Sequence, residues 1–203
     1  MTQERLKRIL SNIKRTAPGV HVTDIKYNPN QPRVPAGNPT GGEWTRVGAG
    51  IKNKLLDAAS DYGFPKDRLI ISEGEREGHP ETIAMYDPET GLIYFWIDKV
   101  PNEDVAKGLF SHEFTHYVLD GIERRSAGGG LDNTLWRELL RADWNELSVF
   151  SDYSRSFSGT RAIHETLAEA MRLINYNRKN EIPKDTIDIL NRVLIAHAKR
   201  GME

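Results

Sequence analysis

Two histidines and a glutamate within five residues are the part of this chain best suited to chemistry. His112, Glu113 and His116 form the pattern H-E-x-x-H. On a helix, residues four apart share a face, so both imidazoles point the same way and can fill two corners of a tetrahedral zinc site. Glu113 is offset from them, so it can take a proton from a metal-bound water and later pass it to a leaving amine. This division of roles is the physical reason for the pattern, which predicts a hydrolytic metal site.

Such a site needs a third ligand, and the residues next to the pattern do not provide one. An extended form of the motif would place glycine and histidine where this chain has Leu119 and Ile122. Asp120 follows His116 by four residues, too far along a straight helix to reach the same ion. The chain has no cysteine, so the missing ligand must be a histidine, an aspartate or a glutamate.

A pair of glutamates further along the chain supplies the best candidates. Glu165 and Glu169 lie four residues apart in a segment with helical periodicity, so they share a helix face. One of them can bind the metal, while the other accepts a hydrogen bond from the free ring nitrogen of a ligating histidine. The alternative is a solvated helix face with no role in a site, which is the usual meaning of such a pair when no metal motif precedes it.

The elements that must position these residues are predicted from periodicity and from residues typical of helix ends and turns. A short strand at 69–71 and a hairpin formed by 82–86 and 92–97 precede the helix that carries the pattern, expected over 103–120 with Gly121 as its stop. Further helices are expected over 3–15, 51–62, 134–149, 160–177 and 183–201. The fold class is therefore α+β, with a small antiparallel sheet or hairpin, then the helix of the pattern, then a helical C-terminal part.

The two motif helices resemble those of a known group of enzymes. H-E-x-x-H followed by a glutamate in a downstream helix is the gluzincin pattern, and HEFTH at 112–116 with ETLAEAMRL at 165–173 is similar to the catalytic domain of anthrax lethal factor and its relatives. The resemblance implies a zincin-like fold and a zinc-dependent endopeptidase. It also implies Glu165 as the third zinc ligand and Glu169 as the support for a ligating histidine. A toxin aimed at a host protein would share this chemistry.

The residue that stabilises the oxyanion is where the chain departs from that family. The family carries a tyrosine shortly before the third ligand, but the nearest counterparts here are Phe157, which has no hydroxyl, and Tyr153, further upstream. We take Tyr153 as the candidate, with His164 and Tyr176 as substitutes; a packing role for Tyr153 is the alternative. The strand LIYFWID at 92–98 is expected to be an edge strand that lines the cleft and pairs with an extended peptide.

The N-terminal part differs from the rest in charge and composition. Residues 1–54 contain ten Lys/Arg against three Asp/Glu, and the remainder contains 18 Lys/Arg against 26 Asp/Glu. Residues 27–50 are rich in proline and glycine and are expected to form a loop or linker. We therefore divide the chain into a basic arm, 1–50, and a metallopeptidase domain, 51–203. The arm can bind nucleic acid or an acidic partner, or it can fold back on its own acidic domain.

A short element in the arm suggests an origin. PRVPAGNPTGGEWT, residues 32–45, is similar to an element of tailed-phage head-morphogenesis proteins, which implies a phage or prophage source and a capsid partner. The alternative is a turn segment anchored by its tryptophan. No apolar run reaches the roughly 18 residues of a membrane span, and the start of the chain has no apolar signal region. We expect a protein of the bacterial cytoplasm or the virion, without membrane partners.

Overall fold

The computed structural model describes residues 42–200, apart from the side chains of residues 42–47, 130 and 131. The helix expected over 3–15, and the arm as far as residue 41, lie outside this range. The elements, in chain order, are α1 (Gly42–Tyr62), β1 (Leu69–Ser72), β2 (Ala84–Asp87), β3 (Leu92–Trp96), α2 (Glu103–Ser126), α3 (Gly130–Arg141), α4 (Trp144–Leu147), α5 (Asp152–Arg155), α6 (Gly159–Asn175) and α7 (Lys184–Arg200). The described chain is thus mixed α+β and mostly helical, as expected.

The three strands form one sheet in the order β1-β3-β2. β2 and β3 are antiparallel, with Ala84 opposite Phe95, which confirms the expected hairpin. β1 runs parallel to β3, so the sheet is mixed and β3 is its central strand. The expectation that 92–98 is an edge strand lining the cleft is therefore wrong, because β3 has a neighbour on both sides. β2 is the edge strand that borders the candidate site described below.

The first described helix begins earlier than expected. α1 starts at Gly42 rather than at residue 51, so nine residues assigned to the linker are helical. Glycine weakens a helix, which is why this stretch suggested a loop. A Cβ atom at Gly50 would lie 2.6 Å from Oε1 of the exposed Glu103 side chain, so α1 passes close to the start of α2 at this point. The division at residue 50 itself remains a prediction.

The helix that carries the histidines is longer than expected. α2 begins as predicted, since the side chain of Asn102 accepts a hydrogen bond from the backbone N–H of Val105 at 2.9 Å. The expected stop at Gly121 is wrong, because the helix continues to Ser126. Ile122, directly after that glycine, is fully buried. The packing of its side chain favours another turn of helix over termination.

The single helix expected over 134–149 is divided in two. α3 ends at Arg141, the next residue is extended, and the short α4 begins at Trp144. The side chain of Asp143 caps α4 by accepting hydrogen bonds from the N–H groups of Asn145 and Glu146. An amphipathic stripe crosses this break, so periodicity alone did not reveal it. α6 and α7 match their expected ranges to within two residues.

α2 is the central element of the described fold. It packs against α1, α3, α6, α7 and β2. Its side chains Phe110, Phe114 and Leu119 are buried among the other core residues. Complete burial of side chains of this size contributes about 1.5–3 kcal/mol each. The residues of α2 that face α6 and β2 are therefore held in place by a packed core rather than by a surface helix.

Candidate metal centre

Two helices bring the three predicted ligands together. His112 and His116 lie one turn apart on α2, and Glu165 lies on α6, which packs against it. The Nε2 atoms of the two histidines are 3.1 Å apart. Oε2 of Glu165 lies 3.6 Å from Nε2 of His112 and 3.7 Å from Nε2 of His116. A point equidistant from three atoms with these separations is about 2.0 Å from each, close to the Zn–N and Zn–O bond lengths in proteins. The geometry fits a single small cation.

The three groups are buried and incompletely satisfied. The side chains of His112, His116 and Glu165 are only 11, 14 and 9% exposed. Oε2 of Glu165 has no hydrogen-bond partner among the described residues, although burial of such an atom is costly unless it is paired. Its other oxygen lies 3.6 Å from the Arg161 guanidinium. The free oxygen faces the imidazoles, where a cation would satisfy it.

The surrounding charges give the two imidazoles different proton affinities. Burial acts to lower the pKa of His112, but the carboxylates of Glu165, Glu113 and Glu169 outweigh it, so that its pKa is raised. For His116, burial and the neighbouring His112 act in the same direction and hold its pKa well below the ordinary value. Two imidazole nitrogens 3.1 Å apart cannot both carry a proton without repulsion. Because the His116 ring tends to stay unprotonated, one of its nitrogens keeps a lone pair that can bind a cation.

Glu113 is fixed by the edge of the sheet. Its Oε2 accepts a hydrogen bond of 2.7 Å from the backbone N–H of Tyr86 on β2. The residue is buried, and burial raises the pKa of its carboxyl group, with His112 and the Tyr86 N–H acting in the opposite direction. One oxygen is thus anchored while the other remains available for a proton. This is the requirement for a group that takes a proton from water and returns it.

Glu169 lies beside the ligands but does not form the expected hydrogen bond. Its Oε2 is 3.8 Å from Nδ1 of His112, which is too long for a hydrogen bond. Arg172 occupies both oxygens instead, at 2.8 Å through Nε and 2.5 Å through Nη2. Nδ1 of His112 is buried and has no hydrogen-bond partner among the described residues.

The three candidate ligands face a cleft of about 540 Å³. Tyr153 lines the cleft and is 52% exposed; burial, followed by the charge of Glu165, raises the pKa of its hydroxyl. His164 also lines the cleft, where its ring stacks on His116 and its Nε2 is 3.4 Å from Glu123. Two of the three oxyanion candidates therefore border the site.

The third oxyanion candidate, Tyr176, lies away from the cleft. Its ring packs against Gly108 and under the Arg172 guanidinium. Asp120, excluded as a ligand from its spacing, accepts a hydrogen bond from the Tyr86 hydroxyl and pairs with Arg124. Neither residue is positioned to bind a cation between the imidazoles.

Sequence reasoning missed three contributors to the site. The Tyr86 N–H is a backbone group, so its residue type carries no signal of its role. Arg161 precedes Glu165 by four residues, and Arg172 follows Glu169 by three. Both spacings place a cation beside a carboxylate on one helix face, so the two arginines could have been identified from their positions.

Comparison of the sequence and the structure with known proteins identified no relative. No model of a protein family matches the chain, and no significant match was found among curated proteins or solved structures. Among residues 42–200, no helix is both long and apolar enough to cross a membrane.

Proposed function

We propose that this chain is a zinc-dependent endopeptidase of gluzincin type. The observation that carries the proposal is the convergence of two imidazole nitrogens and an unpaired, buried carboxylate oxygen from separate helices, all within 3.1–3.7 Å of one another. Two imidazoles favour a transition metal over calcium or magnesium, which prefer oxygen ligands. A buried carboxylate with an anchored oxygen stands next to these ligands, as hydrolysis requires.

The residues divide the chemistry between them. Zinc, when bound by His112, His116 and Glu165, would polarise a scissile carbonyl and make its water more acidic. Glu113 accepts the proton from the attacking water on its free oxygen and delivers it to the leaving amine. The Tyr153 hydroxyl, at the edge of the cleft, is the donor for the negative charge that develops on the carbonyl oxygen.

The edge of the sheet is available to hold an extended peptide. The backbone N–H of Trp96 donates to the carbonyl of Ile83, and residues along an antiparallel strand alternate in the side to which they bond. Ala84 and Tyr86 therefore direct their backbone groups away from β3. The Tyr86 N–H is taken by Glu113, which leaves the N–H and C=O of Ala84 and the C=O of Tyr86 for a substrate strand.

The decisive experiment measures metal and cleavage separately. The purified protein should contain one zinc per chain and hydrolyse unfolded protein substrates. Glu165→Ala should lose the zinc, because two imidazoles alone are a weak site. Glu113→Gln should keep the zinc and lose cleavage, because the amide cannot accept a proton. Proteolysis by the Glu113→Gln protein at the wild-type rate, or full zinc content in the Glu165→Ala protein, would contradict the proposal.

A second candidate function is favoured by the charge of the N-terminal part. Ten Lys/Arg against three Asp/Glu in residues 1–54 suit a virion-associated protein that binds DNA or a capsid partner, with a metal site that is structural or vestigial. DNA binding that weakens steeply with salt and is lost on deleting residues 1–41 would favour this function. That deletion ends before α1, so the described fold stays complete.

A further inference from the structure

We propose that Arg172 is a positioning residue for the metal centre, which it serves by fixing the Glu169 carboxylate against the ring of His112. The inference rests on the proposed zinc site and assigns to the arginine a role in metal affinity rather than in the reaction itself. For this role Arg172 must hold the Glu169 carboxylate rigidly, that carboxylate must lie next to the His112 ring, and Arg172 must itself be held in place.

The link between Arg172 and Glu169 is a bidentate ion pair. Nε donates to Oε2 at 2.8 Å and Nη2 donates to Oε1 at 2.5 Å. The Glu169 side chain is 6% exposed, so water competes little for its oxygens. A planar guanidinium that holds both oxygens prevents rotation of the carboxylate, which a single contact would not do.

The path to the metal ligand runs through Oε2. That oxygen has one bond from Arg172 and lies 3.8 Å from Nδ1 of His112, which is buried and has no hydrogen-bond partner among the described residues. A carboxylate oxygen can accept two hydrogen bonds, so one lone pair is left for this nitrogen. An N–H at Nδ1 leaves the lone pair of the ring on Nε2, the nitrogen that faces Glu165 and His116. A movement of about 1 Å would bring Nδ1 within hydrogen-bond distance of Oε2.

The arginine is itself held by a close contact between the two motif helices. Its guanidinium lies 5.6 Å from the centre of the Tyr176 ring. That ring rests on Gly108, where an added Cβ would be only 2.3 Å from Cε1. Gly108 precedes His112 by one helical turn. The contacts therefore form a closed path from α2 through Tyr176, Arg172 and Glu169 back to α2, and the glycine is what allows it to close.

The test is the zinc affinity of the metal-free protein, measured by competition with a chromogenic chelator and without substrate. Arg172→Met should weaken zinc binding about 10-fold, at the lower end of the range for residues that support a ligand. Arg172→Lys should lose less, because an ammonium keeps the charge but not the two-point grip. The matched control is Arg178→Met, which breaks another bidentate pair with spacing i,i+3, that of Arg178 with Glu181, outside the cleft. It should leave zinc affinity unchanged.

A double-mutant cycle separates positioning from general stability. If Arg172 acts through Glu169, then Arg172→Met combined with Glu169→Gln should bind zinc no more weakly than the weaker single variant. Losses that multiply, or an Arg172→Met protein that binds zinc within twofold of wild type, would overturn the inference. Thermal unfolding of each variant checks that it is folded.

A second variant keeps the inference testable if Arg172→Met does not fold. Gly108→Ala must displace the Tyr176 ring that holds Arg172, and it should also weaken zinc binding although it removes no charged group. Unchanged affinity in both Gly108→Ala and Arg172→Lys would then overturn the inference. A wild-type protein that binds no zinc would remove the proposed function and this inference together. Zinc binding that depends on Glu165 but not on Arg172 would remove only this inference.

Discussion

At the scale of single residues, Tyr153 and His164 are the two candidates that border the cleft for stabilising the oxyanion. Tyr153 offers a half-exposed hydroxyl to the cleft. His164 offers a ring whose Nε2 is already 3.4 Å from Glu123 and whose faces contact His116 and Trp136. A group that stabilises developing charge must reach into the cleft. The Tyr153 ring packs edge-to-face on Phe157 and its hydroxyl interacts with Glu165, but the side chain is half exposed to the cleft, whereas the imidazole of His164 is held between two rings. We therefore assign the task to Tyr153.

We therefore expect Tyr153→Phe to lower kcat by about 10²-fold while KM and zinc content change little, because the hydroxyl is needed only when negative charge develops. Steady-state kinetics on a peptide substrate and metal analysis measure the two quantities. Tyr94→Phe is the matched control, since Tyr94 stacks on Trp96 in the central strand and does not line the cleft. Wild-type kcat in the Tyr153→Phe protein, with loss of activity in His164→Phe, would move the assignment to His164.

At the scale of elements, α2 is built so that its start is fixed locally and its middle by packing. Asn102 caps the first turn, and acidic side chains at Glu103 and Asp104 suit the positive end of the helix dipole. His112 and His116 lie about three and four turns beyond the cap, between α6 and β2. A change at the cap should therefore alter the stability of the helix without altering the geometry of the ligands.

We expect Asn102→Ala to lower the free energy of unfolding by about 1 kcal/mol, because the N–H of Val105 loses its acceptor. Urea denaturation of the metal-free protein measures the change. Asn102→Asp is the control, since aspartate keeps the acceptor and adds a charge favoured at this position. The zinc affinity of both variants should equal that of wild type; a large loss of affinity in Asn102→Ala would show that the cap and the ligands are coupled.

At the scale of the whole molecule, a partly buried histidine packed against the core resists protonation. His197 of α7 packs edge-to-face against the rings of Phe114 and Tyr117 on α2. Burial, with a smaller effect from the charge of Arg125, lowers its pKa to about 4. An ordinary histidine in the unfolded chain has a pKa of about 6.5. Between these values the unfolded chain binds more protons than the folded protein.

Stability should therefore fall as the pH decreases from about 6.5 to about 4, by up to about 1.4 kcal/mol per pH unit from this residue alone. Above about pH 6.5 the contribution disappears, because His197 is neutral in both states. Denaturant unfolding of wild type and His197→Phe across pH 4–8 isolates it, since the other titrating groups are common to both. Parallel stability curves over the whole range would contradict the expectation.

The sequence predicted the parts of the fold and site that depend on periodicity and spacing. The strands of the hairpin, α6, α7 and the face shared by His112 and His116 all follow from regular repeats of apolar or paired residues. Glu165 was singled out by its spacing from Glu169 and by resemblance to gluzincins, and the structure brings it to the two imidazoles.

What sequence could not predict depends on contacts between elements. Helix α1 includes residues 42–50 although glycine disfavours a helix there, and the extension of α2 past Gly121 accompanies the burial of Ile122. The placement of β1 beside β3 made β3 the central strand, and no local pattern reports which strand of a sheet lies in its middle. That Glu169 bonds Arg172 and leaves Nδ1 of His112 3.8 Å away likewise depends on where the three side chains lie in space.

The hydrogen bond from Tyr86 to Glu113 has a consequence for how this protein can vary. The donor belongs to the main chain, so nineteen of the twenty amino acids at position 86 would preserve it and only proline would remove it. Under the proposed peptidase function, the side chains that border the cleft on this strand can therefore diversify, and with them the preferred peptide, while Glu113 keeps its orientation. Substrate choice and proton transfer would thereby be uncoupled at position 86.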